Sequence, residues 1–316
     1  MKPSALRHCR LLLAGLALLG GCHKARDTGT PKAVPVRTDG AIALRLMTFN
    51  VRYENPGDGG DHAWRQRISF AVRMIARENP DIIGVQEALH GQAADLWASL
   101  PDYEFHGVGR EDGAAKGEYS GIFYRRDRFQ TDSSDKGTFW LSDTPEKIGS
   151  MTWGNEITRV ASWIRLLDLA TGRSFYVFNT HWDHRNEASR EKAALLIAQR
   201  IDARKHIDEP VVLLGDFNSN ESKAGYRYLT GNSGTVAGVD RSWNHGLLDT
   251  YQSLHAAEKN RRTLHFFQGN HDGDVKIDHI LASPGATILS AQIVNSDLPL
   301  VSDHFPVTAE LLFPKN

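Results

Sequence analysis

Val211-Val212-Leu213-Leu214-Gly215-Asp216-Phe217-Asn218 is an apolar run that ends on a carboxylate and, two residues later, a carboxamide. A short continuous apolar run bounded by glycine reads as a buried strand. The stretch therefore delivers Asp216 and Asn218 to one end of a sheet. The arrangement recurs along the chain: Ile42, Leu44 and Leu46 alternate into Phe49-Asn50-Val51, and Asp81-Ile82-Ile83-Gly84-Val85 leads to Glu87. Lys276-Ile277-Asp278-His279-Ile280 and Ser302-Asp303-His304-Phe305-Pro306 complete the set. Acidic groups gathered beside a core cost free energy unless a metal or a proton offsets their repulsion. Such clusters, repeated in one chain, point to a metal-assisted hydrolytic site.

The segments between these clusters suggest the architecture. Trp64, Ile68, Val72 and Ile75 recur at helical spacing and Pro80 bars continuation, which predicts a helix over 64–78. A second helix is predicted over 187–207, with Ala193, Leu196, Ile197 and Ile201 on one face. Further strands are expected at 121–124, 159–169, 174–180, 276–282 and 305–312. Asn50 and Glu87 frame the first helix, and His181 and Asp216 frame the second. Two layers whose strand ends converge favour an α/β sandwich over a barrel.

The amino end is of another kind. Lys2, Arg7 and Arg10 precede the apolar run Leu11–Leu19, which is too short to span a bilayer and ends in Gly20-Gly21-Cys22. Small residues directly before a cysteine resemble the lipobox of bacterial lipoproteins, which implies cleavage before Cys22 and its lipidation. Residues 22–40 are polar, contain Pro31 and Pro35, and read as a tether. The expected organisation is a signal peptide over 1–21, the lipidated tether, and one catalytic domain over 41–316. The protein would be a monomer held to a membrane of the cell envelope by its N-terminal lipid.

Cys9 and Cys22 are the sole cysteines, so the exported domain would hold together without a disulfide and without thiolate metal ligands. Loss of Lys2, Arg7 and Arg10 reduces 37 basic residues to 34 against 38 acidic, a mature net charge of −4. That balance gives no steering toward nucleic acid, though a bound cation could supply positive charge locally. Gly-x-Ser-x-Gly and Gly-x-x-x-x-Gly-Lys are absent, so serine-hydrolase and nucleotide-motor chemistry are unsupported.

Glu87 and Asp303 are the leading metal-ligand candidates, because Mg²⁺ or Mn²⁺ prefers oxygen donors, and Asn50 could ligate or orient. Asp216 can take a proton from water. On an extended segment Asn218 would share its face and orient the attacking or a phosphoryl oxygen. Asp278 can fix the tautomer of His304 and aim its other nitrogen. His181, ending a strand, is a second candidate to stabilise charge on phosphorus, and His184 could bind substrate.

In order, Phe49-Asn50-Val51, Val85-Gln86-Glu87, Asn179-Thr180-His181, Gly215-Asp216-Phe217-Asn218, Ile277-Asp278-His279-Ile280 and Ser302-Asp303-His304 resemble the endonuclease/exonuclease/phosphatase superfamily, which includes deoxyribonuclease I-like enzymes. The resemblance implies a four-layer α/β sandwich, two central β-sheets flanked by helices, and divalent-metal-dependent phosphoesterase activity using Mg²⁺, Mn²⁺ or Ca²⁺. It implies that Asn50, Glu87 and Asp303 form the metal group and that Asp216 activates water beside Asn218. It also implies that His181 and His304 contact phosphate, with Asp278 orienting His304. One or two ions fit this pattern.

Gly117-Glu118-Tyr119-Ser120, Thr158-Arg159-Val160 and Thr263-Leu264-His265 are similar to a secreted bacterial subgroup. This makes Glu118, Arg159 and His265 candidate substrate contacts, although Glu118 and Arg159 could instead serve as ion-pair partners. The phosphoester could be a nucleic acid, a lipid head group or a small metabolite. A non-catalytic binding lipoprotein that kept the fold is the alternative.

Overall fold

In the computed structural model, which describes residues 40–295 and 299–315, the chain begins β1 (Ile42–Asn50), α1 (Trp64–Glu78), β2 (Ile82–Ala88) and α2 (His90–Ser99). There follow β3 (Tyr103–His106), β4 (Tyr119–Arg125), β5 (Phe129–Trp140), β6 (Val160–Asp168) and β7 (Arg173–His181). Next come α3 (Glu187–Asp202), β8 (Val211–Asp216), α4 (Ala224–Leu229), β9 (Gly234–Val236) and β10 (Val239–Arg241). The last elements are β11 (Leu248–Asp249), α5 (Thr250–His255), β12 (Asp278–Ala282), β13 (Thr287–Ile293) and β14 (Val307–Phe313). One sheet has the order β13-β14-β1-β2-β4-β3 and the other β11-β12-β8-β7-β6-β5. The parallel pairs β1/β2 and β7/β8 are joined through α1 and α3, and the remaining pairs within these two sheets are antiparallel.

Alternation along the strands assigns the layers. Leu44 and Leu46 of β1, Val177 of β7, and Val212 and Leu214 of β8 bury against one another between the sheets. Phe49 and Val85 face the other way, onto Trp64, Ala71, Met74 and Ile75 of α1. Tyr176, Phe178 and Leu213 likewise pack on Ala193, Ala194 and Ile197 of α3. Helix, sheet, sheet, helix is the four-layer sandwich expected from the sequence.

Helix α1 spans the expected residues and ends at Asn79, whose left-handed backbone (φ 49) closes an N–H bond to Ile75 O. Helix α3 is shorter than expected, stopping at Asp202 rather than residue 207. The guanidinium of Arg204 donates to Ile201 O at 2.6 Å, satisfying a carbonyl that another helical turn would have used, and to Glu209 O in the following loop at 2.8 Å. Strands β3, β5 and β13 went unread in the sequence because each is a sheet edge. β5, for example, runs through Gln130-Thr131-Asp132-Ser133-Ser134 and carries little apolar alternation. The expected signal peptide, Cys22 and tether fall on residues 1–39, outside the described residues. Among the described residues, no helix is long and apolar enough to cross a membrane.

A lysine is among the charged groups sealed inside the fold. Lys276 has no exposed surface, and its ammonium lies 3.1 Å from Asp249 Oδ2 and 2.7 Å from Nδ1 of His279. Asp249 also caps α5 by accepting from Gln252 N at 2.8 Å. Burial opposes the Asp249 carboxylate, but the Lys276 charge and the His279 contact override it and hold its pKa well below the usual range. A depressed folded-state pKa stabilises the protein above the unfolded value of about 3.9, and that stability is lost as pH falls toward the folded value. The urea midpoint should therefore fall with pH below about 4. Asp249→Ala, which leaves Lys276 unpaired, should lower stability at neutral pH by ~3–5 kcal/mol. A midpoint unchanged by that substitution would remove the pair as a stabilising element.

Candidate active site

Side chains alternate faces along a strand. In β8 the residues facing the opposite sheet are Val212 and Leu214, so the next on that face is Asp216. The same reasoning brings Asn50 after Leu44 and Leu46 in β1, and His181 after Phe175, Val177 and Asn179 in β7. In β12 it places Asp278 beside Ile280 and Ala282. The hydrophobic pattern that forms the inter-sheet core thus aims four polar side chains at its rim. Register then aligns them, since Asp216 pairs with His181 on one neighbouring strand and with Asp278 on the other. Asn50, from the facing sheet, donates to Asp216 Oδ2 at 3.0 Å.

Glu87 breaks the rule in an informative way. It is out of phase with Gly84 and Gln86, and strict alternation would turn it toward α1. A bulge between Val85 and Ala88 and a left-handed backbone at Glu87 (φ 64) redirect it, and its Oε1 accepts from Asn50 at 3.0 Å. Tyr53 N donates to its other oxygen at 3.1 Å.

Asn218 is also left-handed (φ 46) and lies beyond the end of β8, which corrects the shared-face geometry expected of an extended segment. Asp216 Oδ1 instead accepts from Asn218 N at 2.9 Å, an Asx turn. Its amide then donates to His181 Nε2 at 3.0 Å and to Trp182 O at 3.1 Å. Each left-handed residue costs about 1–3 kcal/mol, a cost that tends to persist at functional sites.

Asn179, unassigned to any role in the sequence, is a strut between the sheets. It donates to Val85 O at 2.9 Å and Gly121 O at 2.7 Å, and accepts from Gln86 Nε2 at 2.7 Å. Gly84 makes room for it, since a Cβ there would stand 2.7 Å from Asn179 Oδ1. Gly215 serves a related purpose: a Cβ would meet Thr180 O at 2.3 Å, so the close approach it permits is that of the neighbouring strand.

The two histidines are pushed in opposite directions. His304 Nδ1 lies 2.9 Å from Asp278 Oδ2, and its Nε2 lies 3.8 Å from Asp216. Burial works against the imidazolium, but Asp278, Asp216 and Asp303 outweigh it and hold His304 well above the usual histidine range. His181 Nε2 lies 3.6 Å from Asp216 on the other side. Burial, then the charges of Arg159 and Arg110, push it well below that range. Because Nε2 accepts from Asn218, the hydrogen-bond pattern assigns the proton of the uncharged ring to Nδ1. Asp216 is pushed up to about 7, first by burial and then by the Asp278 charge.

Glu87 and Asp303 offer carboxylate oxygens of the kind a hard cation prefers, and beside them Asn50 turns its NH2 toward Glu87 while its Oδ1 accepts from Arg52 N at 3.0 Å. Burial, reinforced by the Glu87 charge, raises the Asp303 carboxyl, and Arg52 approaches it only to 3.6 Å. Negative charge is therefore incompletely matched here, as a divalent cation would require. A second set, Asp216, Asp278 and His304, also brings ligand atoms within 4.8 Å of one another. In it two carboxylates face one imidazole, with His304 Nδ1 2.9 Å from Asp278 Oδ2 and Asp278 Oδ1 buried without a hydrogen-bond partner among the described residues.

The substrate candidates divide. Glu118 lies beside His181, with 3.9 Å between its Oε2 and Nδ1, and Arg159 contacts His184 Nδ1 at 3.1 Å. His265 instead supports the turn before His304: its backbone N–H donates to Asp303 O at 2.8 Å and its ring packs, tilted by 35°, against Phe305 with centroids 3.9 Å apart. The sequence reading missed Arg110, which grips both Glu118 oxygens at 2.6 and 2.8 Å. It also missed Arg67, which is buried and donates to Val51 O and Val301 O, both at 2.7 Å. Arg67 stands on the core face of α1, where a charge at a helical apolar position was the signal available.

Comparison with known proteins follows the same lines. The sequence profile of the Endonuclease/Exonuclease/phosphatase family matches residues 47–304. An endonuclease/exonuclease/phosphatase structure from Bacteroides vulgatus is 36% identical, with a TM-score of 0.76 over 85% of this chain and 98% of its own. A Bacteroides thetaiotaomicron mannosyl-6-phosphatase is 31% identical, with a TM-score of 0.73 over 85% of this chain and 100% of its own. Uncharacterized protein L388 of Acanthamoeba polyphaga mimivirus is 29% identical over 51% of this chain, which spans 61% of that relative's length. With a family profile covering most of its length and the central polar groups converging at one sheet rim, the chain belongs to the endonuclease/exonuclease/phosphatase family of phosphoric ester hydrolases.

Proposed function

We propose that this chain is a divalent-metal-dependent phosphomonoesterase acting on a small phosphorylated metabolite, exported and lipid-anchored through Cys22. The observation that carries the chemistry is Asp216, held by Asn50 and by the Asn218 backbone, with an imidazole nitrogen on each side at 3.6 and 3.8 Å. A carboxylate so fixed can take the proton of a water as that water attacks phosphorus. Fixed orientation of the groups around the reacting centre is itself a large part of the rate enhancement.

His304, oriented by Asp278, contacts the phosphoryl oxygens as their charge grows. In this reading His181, whose Nε2 is occupied by the Asn218 amide, acts by positioning that amide rather than by direct contact. A cation held by Glu87, Asp303 and Asn50 would supply positive charge to offset the phosphate and the surrounding carboxylates.

Similarity to the mannosyl-6-phosphatase supports a small monoester. The acidic charge balance of the chain also supports it over a nucleic acid. A binding lipoprotein without activity is disfavoured, because Glu87, His181, Asp216, Asp278 and His304 are all present and in hydrogen-bonded contact with site groups.

Asp216→Asn and His304→Ala should each lower kcat/KM for a generic phosphomonoester by about a hundredfold or more while thermal melting stays cooperative. Undiminished turnover in either variant would sink the mechanism. Activity should vanish in excess EDTA and return on adding Mg²⁺ or Mn²⁺; full activity in the chelator would remove the cation. In a bacterial host fed radiolabelled palmitate, the full chain should take up label and Cys22→Ser should not. Equal labelling of the two would exclude anchoring at that residue.

A further inference from the structure

Arg52 follows β1 with its backbone bonded on both sides. Its N–H donates to Asn50 Oδ1 at 3.0 Å, and its carbonyl accepts from Arg67 Nη2 at 3.1 Å and from Gln92 Nε2 at 2.9 Å. The residue is left-handed (φ 57), a conformation that a long side chain keeps only where its surroundings impose it. The next residue, Tyr53, donates its N–H to Glu87 Oε2 at 3.1 Å, and its ring centroid lies 4.8 Å from the Arg52 Cζ. The guanidinium is thus delivered beside Glu87 and Asp303.

There it meets two carboxylates on unequal terms. Nε and Nη2 hold both oxygens of Asp58, at 2.9 and 3.1 Å, whereas Nη1 stops 3.6 Å from Asp303 Oδ2. The longer separation is an ion pair without a hydrogen bond. Asp303 Oδ1 accepts from Ser302 Oγ at 3.3 Å, and Oδ2 accepts no hydrogen bond among the described residues. Local sequence places Asp58 for its part: Asn55-Pro56-Gly57-Asp58 closes a β-turn in which Asp58 N donates to Asn55 O at 2.9 Å.

We propose that Asp58 is a positioning residue for the cation: by clasping Arg52 it keeps that guanidinium off Asp303 and leaves Asp303 Oδ2 to a divalent ion. This rests on the cation reading above. A carboxylate engaged by a guanidinium is a poor ligand, because an incoming ion must break a charge-assisted pair and approach a like charge. Without Asp58, the carboxylates left facing Arg52 are Asp303 and Glu87. Both already act on it: the Asp58 hydrogen bonds first, and then the Asp303 and Glu87 charges, hold the guanidinium above its ordinary range against burial. The Arg52 side chain is 23% exposed and has room to swing once released. Arg67 has no such freedom, since its donors are taken by the carbonyls of His62, Val51, Val301 and Arg52.

Asp58 could also favour a cation simply by adding negative charge near the site. The two mechanisms part in a double-mutant cycle. If Asp58 works by restraining Arg52, its removal matters only while Arg52 is present; if it works by charge, its removal matters in either background.

The test is calorimetric titration of Mn²⁺ into the full-length protein, which reads the cation without turnover. Asp58→Asn should weaken binding about tenfold or more, a coupling of ordinary size between neighbouring sites. In the Arg52→Gln background the same change should cost about threefold or less. The rise in thermal midpoint on adding Mn²⁺ reads the same binding through folding, and should shrink in Asp58→Asn and return in the double variant. A turn merely loosened by loss of Asp58 would not be repaired by removing Arg52 as well. Equal losses in the two backgrounds, or native affinity in Asp58→Asn, overturn the proposal and leave the cation reading standing. A native protein that binds no Mn²⁺ refutes both.

Discussion

The hydrogen bond from Asn50 to Asp216 joins residues 166 positions apart and ties the rim of one sheet to the rim of the other. Both side chains continue the strand faces that carry Leu44, Leu46, Val212 and Leu214 into the inter-sheet core. The thickness of that packed core therefore sets the distance across which the pair can bond. A hydrogen bond to a charged group contributes about 1.5–3 kcal/mol, little beside the apolar burial beneath it. What depends on it is placement, because Asp216 is then held between two imidazoles and Asn50 is presented to Glu87.

The same junction explains why so much polarity is tolerated inside. The amide of Asn179 bridges backbone carbonyls of two strands in the opposite sheet, and Gln86 completes its bonding. Lys276, Asp249 and His279 form another buried polar cluster behind β8 and β12, where His279 Nε2 also lies 2.9 Å from Ser219 O. That contact anchors the chain immediately after Asn218. Hydrogen bonds inside a low-dielectric core are strong and directional, so such contacts help to specify one arrangement of the two sheets.

Two histidines flank one carboxylate and yet are pushed in opposite directions. His304 sits among Asp278, Asp216 and Asp303, and His181 sits against Arg159 and Arg110. Equal burial would disfavour the imidazolium in both, so the neighbours decide. The imidazolium is thus favoured on one side of Asp216 and disfavoured on the other, where the Nδ1 edge of His181 turns toward Glu118.

The placement of Asn50, His181, Asp216 and Asp278 was legible in the sequence because a strand has a period of two. Once the apolar residues that form the core are recognised, the face of the next polar residue follows. Helix α1 and the layered architecture were legible for the same reason, since both rest on local periodicity. Glu87 and Asn218 were legible as candidates but not as geometry, for their left-handed backbones and the bulge before Ala88 answer to partners in other strands. Arg110 and the role of Asn179 were invisible, because each acts through contacts outside its own apolar pattern. Local sequence determined which side chains would reach the rim. The tertiary structure alone decided which of them would touch, because contact between distant segments depends on how two sheets pack, a quantity no local window of residues contains.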